Sequence, residues 1–252
     1  MYTEKARSKR HLKQLIAMEI HQHGNKCSLN HIDISGLDDL SFVFAGSTFN
    51  GDISQWDVSR VEDMSHMFES SVFKGDLSTW NTGRVQHMNY MFSHHSGEVD
   101  LSSWNTSSVV QMQGMFQKFH SQVDISQWDV SNVKCMEGMF EMSDFQGDIS
   151  KWDVSNVLSM HSMFVGAPFN QDIAAWNVSR VISMDSMFLG SSFNGDLSRW
   201  DVSNVQDMSY MFSNSQFNGE ISMWNTSNVT SMQEMFTESR FQGEISEWDV
   251  SK

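Results

Sequence analysis

Nine tryptophans, all that the chain contains, stand 24 residues apart from Trp56 to Trp248. Self-similarity at a fixed period of about 20–50 residues is the signature of a stacked repeat architecture. Because no residue is inserted or lost between one tryptophan and the next, every repeat must follow a backbone of the same length. This spacing favours a stack of equal coils over a propeller.

The order of residues within one period indicates a strand, a helix and a turn. Trp56 and Val58 alternate with polar neighbours, as expected of an extended segment that points every second side chain at a core. Residues 61–68 carry apolar side chains at a spacing that favours about two turns of amphipathic helix. Asn-Gly at 50–51 then marks a turn. Because strand-helix-strand crossovers are right-handed in almost all cases, we predict an α/β, right-handed, leucine-rich-repeat-like solenoid of 24-residue strand-helix-turn units.

The first 31 residues differ from the repeats in charge. Residues 1–31 hold six Lys/Arg and two Asp/Glu, a net charge of +4, whereas the remainder holds ten and 29, a net charge of −19. We predict a basic N-terminal helical cap at 1–31, followed by a repeat solenoid at 32–252. Its atypical first unit occupies 32–55 and its Trp-marked units 56–252. One apolar helical face should cover the first coil; it comprises Leu12, Leu15, Ile16 and Ile20.

The phrase Trp-Asp-Val-Ser-Asn-Val at 128–133, 152–157 and 200–205, followed by Met-x-x-Met-Phe, resembles the BspA-like leucine-rich-repeat surface-protein family. The resemblance spans residues 32–252. It implies a repeat scaffold for adhesion and protein binding, often on bacterial or protist cell surfaces. No secretory signal is visible, because charged residues interrupt the apolar run at 12–20, so we expect a cytoplasmic chain as written.

Two polar columns accompany the tryptophans. The first, four residues before each tryptophan, is an acidic column that could cap its own turns through backbone N–H groups or, as an alternative, bind divalent cations. Its members are Asp52, Asp76, Asp100, Asp124, Asp148, Asp172, Asp196, Glu220 and Glu244. The second, one residue after each tryptophan, is a polar ladder face that could hydrogen-bond along the stack or present an exposed ligand surface. Its members are Asp57, Asn81, Asn105, Asp129, Asp153, Asn177, Asp201, Asn225 and Asp249.

One short cluster near the cap contains residue types that bind zinc. It matches no recognised zinc-finger spacing, so metal binding is an alternative to a solvated cap end. The residues are His21, His23, Cys27 and His31.

No Gly-rich phosphate loop, nucleophile elbow or metalloprotease helix is present, and we expect neither an enzyme nor a cofactor. The net charge of −15 argues against direct nucleic-acid binding, which depends on Lys and Arg. No transmembrane run is present either. We therefore predict a non-enzymatic protein–protein interaction scaffold that presents an extended acidic surface. Two alternatives stay open: an acidic mimic that inhibits a nucleic-acid enzyme, and a cell-surface adhesion protein as in the resembled family. The chain stops shortly after its last tryptophan, so residues 225–252 could form a homodimer through an uncapped coil.

Two adjacent repeats break the pattern. Phe stands seven residues before most tryptophans, but Gly97 and Ser121 replace it, and Val99 and Val123 replace the turn glycine in the same units. Two readings follow: a reshaped patch that binds the partner, or neutral drift with compensating packing. The residues predicted for the partner-binding patch are His94, His95, Lys118, Phe119 and His120.

Overall fold

A computed structural model describes residues 4–251 of the chain. Its regular elements there are strand β1 (Glu4–Lys5), helix α1 (Lys9–His23) and strand β2 (Ile32–Asp33), and β1 pairs in parallel with β2. Within these described residues, no helix combines the length and apolar character needed to span a membrane. The chain after β2 consists of turns and short extended steps that recur every 24 residues.

Helix α1 lies on the first coil of the repeat region. It begins after Ser8, whose Oγ accepts a hydrogen bond from the N–H of His11, and ends at Gly24, where φ is +80°. These are the residue types that cap the two ends of a helix most readily. Lys13 Nζ donates to the carbonyl of Phe42 over 3.0 Å, which ties the basic helix to the first coil. The buried face of the helix comprises Leu12, Leu15 and Ile16.

Successive coils are joined by parallel hydrogen bonds between residues one period apart. The N–H of Met64 donates to the carbonyl of His87 over 2.9 Å, and the N–H of Phe68 donates to that of Met91 over 3.0 Å. The intervening N–H groups turn inward: that of Met67, for example, donates to the carbonyl of Met64 over 3.1 Å. Backbone donors therefore alternate between the next coil and their own turn. Isolated parallel bridges follow the same register from Asp39 through to Ser231.

The repeats differ from the predicted strand-helix-turn unit. Within residues 34–251 there is no helix; the segment 61–68 forms successive turns, with left-handed φ at His66 (58°). A helix would use its backbone donors internally, whereas here half of them hold the next coil. The segment predicted as a strand is likewise interrupted by turns on both sides of Trp56. The α/β description therefore applies to the N-terminal end, and the repeats are chains of turns.

Stacked rings fill the core between coils. Trp152 is 4% exposed, and its indole Nε1 donates to the carbonyl of Ile125 in the preceding coil over 3.1 Å. The equivalent bond forms at every tryptophan. A continuous phenylalanine column runs beside the indoles, with ring centroids 5.6–6.0 Å apart from Phe44 to Phe236. The column and the indoles together bury a core that no single unit could enclose.

Candidate functional site

The polar ladder face is exposed along its whole length. In each coil the side-chain Oδ1 accepts a hydrogen bond from the N–H two residues later: Asp57 binds Ser59 over 3.1 Å, and Asp129 binds Ser131 over 3.0 Å. The side chains are thus fixed to their own turns rather than to the next member of the column, as one sequence reading had proposed. A row of exposed, conformationally restrained side chains results; its members are Asp57, Asn81, Asn105, Asp129, Asp153, Asn177, Asp201, Asn225 and Asp249.

The acidic column uses the same local device. Asp76 Oδ1 accepts the backbone N–H of Ser78 over 2.9 Å and the Ser78 hydroxyl over 2.6 Å. The hydroxyl and the N–H of Ser78 hold the pKa of Asp76 below its usual range. The column therefore stays ionised and caps its turns, in line with the turn-capping alternative. Similar serine contacts lower the pKa of Asp52, Asp100, Asp124, Asp148, Asp196 and Glu220.

The residues predicted for the partner-binding patch divide between the core and the surface. Phe119 is fully buried and His95 is 1% exposed, and their rings stack with centroids 6.2 Å apart. The sequence interpretation expected an exposed aromatic anchor, and for Phe119 the structure corrects it, because the ring lies inside the stack. His94 and His120 are exposed, and Lys118 is half-buried. His120 forms an ion pair with Asp144 at 2.9 Å.

An exchange of ring positions explains this burial. In regular coils the position nine before tryptophan is small, as at Ser143, and the position seven before it is Phe, as at Phe145. In the two irregular coils the ring comes instead from His95 or Phe119. A Cβ at Gly97 would lie 2.5 Å from His95 Nε2, so the glycine makes room for the ring. Each of these coils keeps one ring at this place, and the compensating-packing alternative describes it. Comparing the two positions along the sequence would have revealed the exchange.

A shallow groove accompanies the exchange on the surface. In regular coils a Cβ five residues before tryptophan meets the Phe ring: at Gly75 it would lie 2.3 Å from Phe73 Cζ. Removing that ring leaves space for Val99 and Val123. The groove that these valines line has a volume of about 450 Å³; its other lining residues are Asp100, Gln122, Asp124 and Gly147.

The four candidate zinc ligands do not converge. Glu19 separates them, at 3.5 Å from His31 and 3.8 Å from His23. Burial and the charge of Glu19 raise the pKa of Cys27, which disfavours the thiolate that zinc requires. Among residues 4–251 no group of three His, Cys, Asp or Glu side chains is arranged to hold a metal ion. The hypothesis for His21, His23, Cys27 and His31 therefore has no geometric support.

Sequence reasoning missed an exposed row of aromatic rings on the opposite side of each turn. Phe42, His66 and Tyr90 occupy equivalent positions in three successive coils, with ring centroids 4.2 Å and 5.0 Å apart. Phe42 is 46% exposed. The signal was the position ten residues after the tryptophan, where the residue type changes from ring to glycine after Tyr90.

Comparisons with known proteins give one family. The model of a family described as Mycoplasma protein of unknown function, DUF285, matches residues 14–123, 118–216 and 168–252. The overlapping matches extend from α1 to the end of the chain, and repeated matching is expected of a repeat protein. No curated protein and no solved structure matches the chain.

Proposed function

The chain belongs to this family of repeat proteins, and from that premise we propose that it is a non-enzymatic scaffold that binds another protein along its repeat surface. The observation that carries the proposal is the polar ladder face. Its side chains are exposed, and a backbone N–H holds each of them before any partner arrives. Restraining contact groups in advance lowers the entropy lost on binding. A long surface of this kind suits an extended partner.

The architecture proposed with this function is a solenoid related to the BspA-like leucine-rich-repeat proteins. The Trp-Asp-Val-Ser-Asn-Val phrase at 128–133 and the parallel bridges at a spacing of 24 residues support it. The proposed unit is a coil of turns, since residues 61–68 do not form a helix.

The charge of the repeats bears on the partner. Residues 32–252 carry a formal net charge of −19, which favours a partner surface rich in Lys and Arg. Inhibition of a nucleic-acid enzyme by mimicry is a second candidate, favoured by the acidic column, whose lowered pKa values keep it ionised. A mimic would depend on charge summed along the column, whereas a protein scaffold would depend on one stretch of surface.

A capture experiment with matched variants tests the proposal. The full chain is immobilised and exposed to a lysate of its own organism, and bound proteins are identified by mass spectrometry. Two triple variants remove the same charge and keep a capping oxygen: Asp129→Asn, Asp153→Asn, Asp201→Asn on the ladder face, and Asp148→Asn, Asp172→Asn, Asp196→Asn on the acidic column. We expect a protein that the ladder-face variant loses and the acidic-column variant keeps. Nucleic-acid enzymes released equally by both variants and by moderate salt would support mimicry instead, and capture of no specific protein would refute the scaffold.

A further inference from the structure

The exposed aromatic row ends abruptly in a trough. The two coils after Tyr90 carry Gly114 and Gly138 at the same position, so the column of side chains gives way to bare backbone. His161 and Ser162 in the following coil close the far end. The trough encloses about 100 Å³, well below the 300–1,000 Å³ or so of sites for drug-sized ligands. It has room for the head group of one side chain.

The backbone conformation does not require these glycines. Gly114 and Gly138 have φ values of 58° and 57°, but His66 and Tyr90, at the same position, have φ values of 58° and 54°. Ser162 continues the series at 56°. Because other residues adopt this conformation in the same column, the contribution of the glycines is the missing side chain.

The glycines also set the shape of the trough. A Cβ at Gly114 would lie 2.2 Å from Tyr90 Cε1, so the tyrosine ring rests on this glycine and forms one end wall. A Cβ at Gly138 would approach only Glu141, with Oε2 at 3.3 Å. The space above Gly138 is therefore open.

Two amide–carboxylate pairs form the side walls. Gln113 Nε2 donates to Glu137 Oε2 over 3.1 Å, and Gln117 Nε2 donates to Glu141 Oε2 over 2.7 Å. All four side chains are half-buried. Each pair joins adjacent coils, which fixes the two carboxylates at the sides of the opening above Gly138.

The negative charge of the walls is not neutralised by a cation of the chain. Within residues 4–251, neither Glu137 nor Glu141 forms an ion pair, and the nearby His161 is paired with Asp185 at 2.7 Å. An ionised carboxylate offers about four acceptor positions, and the amides use one on each. Burial, then the charge of Glu137 and further nearby groups including Glu141, raises the pKa of Tyr90. The trough therefore combines negative potential with unused acceptors.

Ring geometry separates two classes of ligand. Sugars commonly stack on an open aromatic face, but Phe42, His66 and Tyr90 stack on each other within 18° of parallel. The outer face of Tyr90 rests on Gly114. With the ring faces covered, the carboxylates are the groups left to bind a ligand. A guanidinium suits them, because its planar fork of five donors can serve two carboxylates at once.

We infer that the trough between Tyr90 and His161 binds the guanidinium of an arginine side chain, held between Glu137 and Glu141 above Gly138. The inference rests on the proposed function in taking that arginine to come from a protein partner. The ladder face would then supply an extended contact and the trough a specific anchor.

The test uses N-acetyl-arginine amide as the probe and the ¹⁵N-labelled full chain. The side-chain amide signals of Gln113 and Gln117 should shift saturably with the probe and not with N-acetyl-citrulline amide, which has the same shape without the charge. Glu137→Gln with Glu141→Gln should weaken binding at least tenfold. The control, Asp129→Asn with Asp153→Asn, makes the same charge change elsewhere and should leave affinity within twofold. Gly138→Tyr, which fills the trough with a residue that this column accepts at Tyr90, should abolish the shifts.

Three results would overturn the inference: equal shifts with citrulline, equal loss in the control variant, or saturable shifts with cellobiose and none with arginine. Thermal melts of each variant verify that it is folded. The two proposals fail separately. Arginine binding without a captured protein would defeat the scaffold function alone. A captured protein that tolerates both glutamate substitutions, with no arginine response, would defeat the arginine site alone.

Discussion

Lowering the pH should destabilise the repeat region through one buried imidazole. His95 is 1% exposed, and within residues 4–251 neither of its ring nitrogens has a hydrogen-bond partner of good geometry. Burial lowers its pKa from 6.5 to about 4, an effect that the nearby backbone of Phe68 and Phe73 offsets only in part and that Lys74 reinforces. The rings around it, Phe92 at 5.3 Å and Phe119 at 6.2 Å, offer no charge to a protonated imidazole.

The sign and size follow from proton linkage. The unfolded chain takes up a proton at His95 below about pH 6.5, whereas the folded chain does so only below about pH 4. Between those values the unfolded state binds more protons, so the free energy of unfolding falls as the pH falls. At about 1.4 kcal/mol for each pKa unit, the loss approaches about 3 kcal/mol by pH 4 and is absent above pH 7.

Urea unfolding at pH 7.5 and at pH 4.5 measures this loss, and His95→Phe isolates it. Phenylalanine has precedent at this position in Phe119 of the next coil and cannot titrate. The variant should lose less stability between the two pH values than the parent chain. It should also be more stable at pH 7.5, because leaving a buried polar group unpaired costs about 1–3 kcal/mol. His94→Gln, at the exposed neighbouring residue, should follow the parent. Identical pH dependence in the parent and His95→Phe would refute the reasoning.

Three further predictions concern the stack itself. Phe145→Gly should cost about 3–5 kcal/mol by leaving a cavity, and adding Ser143→Phe should recover most of it; urea melts that show additive losses would exclude the ring exchange. Deleting residues 129–152, one full period, should leave a folded chain by circular dichroism, whereas deleting twelve residues should not, because each coil touches only its neighbours. Trp152→Ala should cost about 3–5 kcal/mol in urea melts and Asp153→Ala far less; equal losses would mean that the indole contributes no more than an exposed turn residue.

The sequence alone predicted the period and the residues that line the core. Trp56, Val58 and Met64 were expected to face inward, and all are buried. The helix was wrongly predicted because turns closed by bonds three residues apart also bring every third residue to one side. Val61, Met64 and Met67 are spaced by three, and this regular spacing fits turns better than the 3.6-residue period of an α-helix. Period alone could not decide, because the alternating backbone donors depend on a neighbouring coil.

The candidate sites were less predictable, for two physical reasons. The loss of Phe at Gly97 was visible, but its consequence depended on where the ring of His95 lies, two residues earlier and inside the stack. The trough depended on which columns face outward, and no periodicity identified that face. Gly114 and Gly138 are ordinary in the sequence, and they acquire meaning only beside the ring of Tyr90 and the paired glutamates.

The unbroken period explains how sites can arise on this chain. With no insertions there are no long loops to build a pocket, so a site must come from changing side chains within columns whose backbone is already fixed by the coils on either side. Replacing rings with glycine at Gly114 and Gly138 opens a trough and removes no core contact, since the rings of that row are exposed in the earlier coils. Changing a core column demands compensation, and the ring exchange at His95 and Phe119 supplies it by keeping one ring per coil. Surface columns are therefore free to vary coil by coil, and specificity for a partner is most readily encoded there.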